Sequence, residues 1–166
     1  VNASKAPFDN PKVREALQYI IDRESIISLG NGIDKPANTM ISEALPAHSD
    51  VQIGQFDPEQ AKALLAEAGY PGGFETTLWI YAESWKTIAE MMQAIMAQAG
   101  ITVTIEQYEI GAFFDLLDKG EHMMLLGSQT ASPYAIGSLN MYYSSDFFGS
   151  SGNFGFYVNE AAAELI

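Results

Sequence analysis

Between residues 74 and 126 the hydrophobic pattern switches repeatedly between a period of two and a helical period, and this alternation narrows the possible folds sharply. Residues 74–81 are rich in Thr, Trp, Ile and Tyr and alternate in part, which predicts a strand. Residues 85–99 then place Ile88, Met91, Met92, Ile95, Met96 and Ala99 at helical spacing, and Gly100 supplies a stop. Ile101, Val103 and Ile105 next alternate with Thr102, Thr104 and Glu106, the pattern of a half-buried strand. A short helix over 111–118 and a buried strand over 122–126 complete the order β-α-β-α-β. An α/β layer fold follows, with parallel strands joined by right-handed crossovers as the default.

Two helix starts upstream share one chemistry. Asn10-Pro11 and Asp57-Pro58 each put a short polar side chain at the N-cap and a proline in the first helical position. There the missing N–H costs nothing and the fixed φ already suits a helix. Val13, Ala16, Leu17, Ile20 and Ile21 follow at spacings of three and four, so the first helix should face the core. In the other, Ala61, Leu64, Leu65 and Ala68 form the apolar stripe, Asp57 and Gln60 have capping-box spacing, and Gly69 closes it. A second short helix is expected over 23–29, ended by Gly30 and Gly32, and residues 30–55 read as a long surface connection after an irregular lead-in at 1–7. Residues 127–155 mix Gly, Ser, Asn and Thr with Tyr134, Tyr142, Tyr143, Phe147, Phe148 and Phe154. Such loop-like polarity with many aromatics suits a binding edge, and it equally suits a loop pinned to the sheet. Asn159 opens one more helix start at the end of the chain.

Composition removes several function classes. Acidic residues outnumber basic ones 21 to 8 and no Lys or Arg follows Lys119, which argues against nucleic-acid binding. There is no cysteine, so neither a thiol nucleophile nor a Cys-based zinc site is available. His48 and His122 stand far apart with no HExxH-type spacing, and neither a Gly-x-Ser-x-Gly elbow nor a Walker A pattern occurs. No cofactor, no metal site and no catalysis are expected. Met91, Met92 and Met96 lie on one helical stripe and read as core. No apolar run approaches the roughly 18 residues of a membrane span, and any export signal is expected to have lain upstream.

The two helix openings, continued as Pro-Lys-Val-Arg-Glu-Ala-Leu from Pro11 and as Ala-Leu-Leu-Ala-Glu-Ala-Gly-Tyr-Pro-Gly-Gly from Ala63, carry a resemblance. With Ala89 to Val103, Ala112 to Leu117, Ser144-Ser145 and Gly152 to Asn159 in the same order, the chain resembles family 5 extracellular solute-binding proteins. These are the oligopeptide-, dipeptide- and nickel-binding receptors of ABC importers. The resemblance implies a C-terminal lobe fragment of a type II periplasmic-binding-protein-like fold, residues 1–166 forming one α/β lobe cut from a longer two-lobed protein. It also implies an extracytoplasmic setting, in a periplasm or as a cell-surface lipoprotein. The partners are then a solute, the missing lobe of the same protein and a membrane permease.

In open α/β sheets ligands settle beyond the carboxyl ends of strands. The strand over 122–126 leads into Gly127-Ser128-Gln129-Thr130-Ala131-Ser132-Pro133-Tyr134, and in the family this loop helps line the cavity between lobes. Ser128, Gln129, Thr130 and Tyr134 are therefore the expected contacts, offering hydroxyl and amide hydrogen bonds beside an aromatic wall. Peptide-binding relatives often carry a tryptophan and an aspartate in this loop, and nickel-type relatives a histidine near Pro-Tyr; here Ser128, Ala131-Ser132 and Ala135-Ile136-Gly137 stand at those places. The resemblance still implies a peptide solute first, with a metal-chelate receptor or a non-transport peptide sensor as alternatives.

Overall fold

The computed structural model describes residues 1–30, 34–39, 41–45, 48–49, 51, 53–128, 134–149 and 152–159, with the backbone alone described at 135 and 136. Its elements run α1 (Pro11–Ile20), α2 (Arg23–Ser28), α3 (Pro58–Glu67), β1 (Glu75–Ile80), α4 (Lys86–Ala97), β2 (Thr102–Gln107), α5 (Ile110–Asp118), β3 (Met124–Leu125) and α6 (Ala135–Tyr143). The three strands form one sheet of order β2-β1-β3, and both pairings are parallel. The expected β-α-β-α-β core is therefore present, with α4 joining β1 to β2 and α5 joining β2 to β3. The last strand is shorter than expected: only Met124 and Leu125 pair with β1, opposite Leu78 and Trp79.

Being central, β1 is buried on both faces, as the middle strand of a covered parallel sheet must be. Leu78 and Ile80 point into the larger apolar cluster, built with Val13, Ala16 and Ile20 of α1, Ala61 and Leu65 of α3, and Ala89, Ile95 and Met96 of α4. Trp79, one residue out of phase, points into a second cluster with Phe113 and Leu117 of α5. Helices thus cover both faces of the sheet. Each fully buried Leu, Ile or Phe contributes about 1.5–3 kcal/mol over its exposed state, so these two clusters are the main source of stability. On β2, Val103 is buried and Ile105 packs on the larger cluster, while Thr102 and Thr104 face solvent.

Local signals set the helix starts where they were expected. Asn10 accepts from the Lys12 N–H at 2.9 Å and Asp57 from the N–H groups of Glu59 and Gln60 at 3.1 and 3.0 Å, each ahead of a proline. The reciprocal arm of the capping box is not made by Gln60. The Asp57 N–H donates instead to the Tyr19 carbonyl at 2.7 Å, so a tertiary bond fastens α3 to the end of α1. Lys12 and Glu67 pair across the same two helices.

Gly73 and Gly100 join β1 to β2 in a way no other residue type could. Gly73 has φ +78° and Gly100 φ +80°, and a Cβ on Gly73 would lie 2.0 Å from the Gly100 carbonyl oxygen. The bare backbones therefore pass in contact, and Thr102 N–H reaches the Phe74 carbonyl at 2.8 Å to open the parallel ladder. At Gly30 the expected left-handed helix stop does not occur: its N–H closes a tight turn on the Ile27 carbonyl, and its φ is not among the positive ones.

Two further expectations are corrected. The stretch 127–155 is not all loop, because α6 spans Ala135–Tyr143 and a 3₁₀ turn follows at Ser145–Phe147. Its Gly, Ser and Asn content lowers helix propensity, and tertiary packing overrides that preference. Asn153, only 1% exposed, donates to the carbonyls of Ser144 and Tyr157 and so fixes the chain against the end of α6. The lead-in is likewise part of the core. Asn2 is fully buried; its amide donates to the carbonyls of Gly120 and His122, and its N–H to that of Met123. Among the described residues no helix is long and apolar enough to cross a membrane. The helix expected from Asn159 falls largely outside the described residues.

Candidate functional site

Because all three strands are parallel, their carboxyl ends share one edge of the sheet. β1 delivers Tyr81 and Ala82 there, β2 delivers Tyr108 and Glu109, and β3 delivers Gly127 and Ser128. A cavity of about 710 Å³ opens beside the ends of β1 and β3. Its walls are Tyr81, Leu125, Gly127 and Ser128 from the sheet edge, Phe113, Phe114 and Leu117 from α5, Tyr142 and Tyr143 from α6, and Gly152 to Gly155 with Tyr157. Arg14 and Gln18 of α1, with Val1 and Ala3 of the lead-in, also line it. A shallow groove on the other side of Tyr81 continues along Gln107, Tyr108, Glu109 and Ile110. Tyr81 therefore stands between the two recesses.

Packing holds the aromatic wall in place. Tyr81 meets Phe113 with ring centroids 5.0 Å apart and Phe114 at 6.1 Å, and Phe113 and Phe114 stack edge to face at 5.4 Å. A Cβ on Gly127 would lie 3.1 Å from the Tyr81 ring, so glycine lets the β3 loop close against it. A hydrogen bond with Ser128 draws the Tyr81 phenol below the usual tyrosine range. Tyr108 moves the other way, because its hydroxyl donates to Glu106 at 2.8 Å and the carboxylate favours the protonated phenol. Glu109 is occupied as the N-cap of α5, accepting from the N–H groups of Gly111 and Ala112. A cavity of this size, mostly apolar with a few fixed polar groups, is suited to a small molecule.

Beneath the site lies a buried polar knot. His122 is fully buried between Trp79 and Phe156, and Nε2 donates to the Phe154 carbonyl at 2.7 Å. Nδ1 has no hydrogen-bond partner among the described residues. Burial is the main cause that brings the imidazole down to about 4, so the ring is neutral and structural at physiological pH. Its bond holds Phe154, a cavity residue, against the start of β3.

The four residues expected from the sequence fare differently. Ser128 lines the cavity and touches Tyr81. Tyr134 stands at the N-cap of α6, is 72% exposed, and is not part of the cavity lining. Gln129 and Thr130 lie outside the described residues. Sequence reasoning did not single out Tyr81, Phe113, Phe114, Tyr157, Arg14 or Gln18. The first lay in plain view as the last residue of the strand pattern, at the edge where ligands settle. Of the aromatics flagged between 127 and 155, Tyr142, Tyr143 and Phe154 do reach the cavity. Among the described residues no group of three His, Cys, Asp or Glu side chains is placed to hold a metal ion.

The family model for bacterial extracellular solute-binding proteins, family 5 Middle, matches residues 1–150. The heme-binding protein A of Haemophilus influenzae is 38% identical over 131 residues, which cover 72% of this chain and 23% of that protein. The dipeptide-binding protein of Escherichia coli is 36% identical over 133 residues, covering 75% of this chain and 25% of that protein. The chain thus spans about a quarter of the length of these curated relatives. Among solved structures, an ABC transporter-associated periplasmic binding protein from Helicobacter pylori, in complex with the peptide STSA, superposes with a TM-score of 0.85 at 27% identity. That match covers 99% of this chain and 33% of the other, so the fold is that of part of a periplasmic binding protein.

Proposed function

Because this chain belongs to the bacterial extracellular solute-binding proteins of family 5, we propose that it forms one α/β lobe of a longer two-lobed receptor for an ABC importer. The receptor captures a small solute between its lobes and presents the closed complex to a membrane permease, outside the cytoplasm as a periplasmic protein or a surface lipoprotein. A short peptide is the first solute class, since relatives carry the names of dipeptide- and glutathione-binding proteins and the superposed structure holds a peptide. The protein acts by binding, without turnover.

The observation that carries this reading is the aromatic cavity of about 710 Å³ at the carboxyl edge of the parallel sheet. That is the edge at which open α/β sheets take ligands, and the volume suits a dipeptide-sized molecule. Tyr81 and Ser128 are the proposed contacts from the described residues, with Gln129 and Thr130 next along the same loop and Tyr134 at its far end. Closure of two lobes stabilises the complex because the solute then touches both faces at once. Native mass spectrometry of the full-length receptor, purified without refolding, tests the proposal. A co-purified mass matching a short peptide supports it, and a metal-chelate mass moves the solute class to nickel-type uptake. An empty protein that also ignores peptide and metal libraries contradicts it.

A further inference from the structure

The charge lining the cavity is one-sided. The chain carries 21 acidic residues, yet among the described residues lining the cavity there is no Asp or Glu, and Arg14 is the one charged side chain. Lys12, Lys35, Lys62 and Lys86 each meet a glutamate. Arg14 meets none among the described residues. Its Nη1 donates to the carbonyls of Phe8 at 2.7 Å and Asp9 at 2.9 Å, and its guanidinium lies 5.4 Å from the Tyr157 ring centroid. Those contacts fix the group while Nε and Nη2 bond to no acceptor among the described residues. Gln18, one helical turn further along α1, lines the same cavity with its side-chain amide likewise unbonded. Residues four apart share one helix face, so the two present convergent N–H donors.

A planar, fixed guanidinium with unspent donors beside an amide is built for a carboxylate, which accepts two parallel N–H bonds. The aromatic surface of Tyr81, Phe113 and Phe114 forms another wall of the cavity. We propose that Arg14 and Gln18 hold the carboxylate of a solute whose apolar or aromatic body packs on Tyr81, Phe113 and Phe114. An amine finds no acidic partner among the described residues that line this cavity. The inference rests on the solute-binding reading and names the end of the solute that the lobe recognises.

Calorimetry on the full-length receptor tests it with three probes: Ala-Phe, its N-acetyl derivative with a free carboxylate, and its C-terminal amide with a free amine. Charge-assisted hydrogen bonds set the scale, and amidation should weaken binding about thirtyfold. Arg14→Gln should weaken the two free acids about tenfold and leave the amide unchanged. Because Arg14 also anchors the turn at Phe8 and Asp9, Gln18→Leu, which removes only a cavity donor, provides an independent arm and should cost the acids about threefold. An amide that binds as tightly as the acid, or variants that weaken acid and amide equally, overturns the carboxylate assignment while leaving solute binding intact. If none of the three probes binds a receptor whose circular dichroism is native, the carboxylate assignment and the short-peptide reading on which it rests both fail.

Discussion

Lowering the pH should destabilise this chain in part through His122. The imidazole is fully buried, its Nε2 proton is committed to the Phe154 carbonyl, and its Nδ1 has no hydrogen-bond partner among the described residues. Protonation would place a second N–H, and a charge, where nothing can accept them. Burial therefore pushes the group down from its ordinary value to about 4. In the unfolded chain the same ring titrates near 6.5, so between these values the unfolded state binds more protons and stability falls as pH falls. Above about pH 6.5 the contribution is fully present, and it is lost progressively as pH drops through about 4. The gap corresponds to about 3 kcal/mol in total, of which about 2 kcal/mol should disappear between pH 7.5 and 5. Urea unfolding at a series of pH values, for the wild type and His122→Gln, reads the difference, because every carboxylate titration is common to both. The wild type should lose about 2 kcal/mol more than the variant over that interval. Parallel stability profiles, or an NMR titration of His122 in the folded chain with a midpoint near 6.5, would refute the reasoning.

Three other perturbations have defined outcomes. Gly73→Ala brings a Cβ to 2.0 Å from the Gly100 carbonyl oxygen at φ +78° and should cost about 2–4 kcal/mol, whereas Gly69→Ala, at φ +94° with nothing within 4 Å, should cost only about 1 kcal/mol in the same denaturation assay. Asp57→Ala removes the acceptor for the N–H groups of Glu59 and Gln60 and should cost about 1 kcal/mol, while Asp57→Asn should recover most of it. Tyr81→Ala, at the junction of the two recesses, should weaken binding of the co-purified solute about tenfold in calorimetry with a native circular dichroism spectrum.

Elements with strong local chemistry were legible in the sequence. Asn10 and Asp57 before proline, the alternation at Ile101 to Ile105, and the stripe Ile95, Met96 and Ala99 all state their structure within a few residues. What depended on distant partners was not legible. Gln60 has capping-box spacing, but Tyr19 takes the bond that the box would have used, from a helix 37 or more residues away. α6 forms from residues with weak helix propensity because Asn153, Ser144 and Tyr157 lock the chain around it. The site followed the same division. The strand order located the edge, and Ser128 followed from it, but Arg14, Gln18, Phe113 and Phe114 reach the cavity only through the packing of α1 and α5 around the sheet.

Hydrogen–deuterium exchange on the full-length receptor, with and without its co-purified solute, tests the central claim that this edge is the binding face. Binding should slow exchange at residues 81–82, 127–128 and 152–157, with smaller changes at 108–109 and little at α3, which lies away from the cavity. Protection confined to α3 and residues 30–55, or none within residues 1–166, would contradict the account.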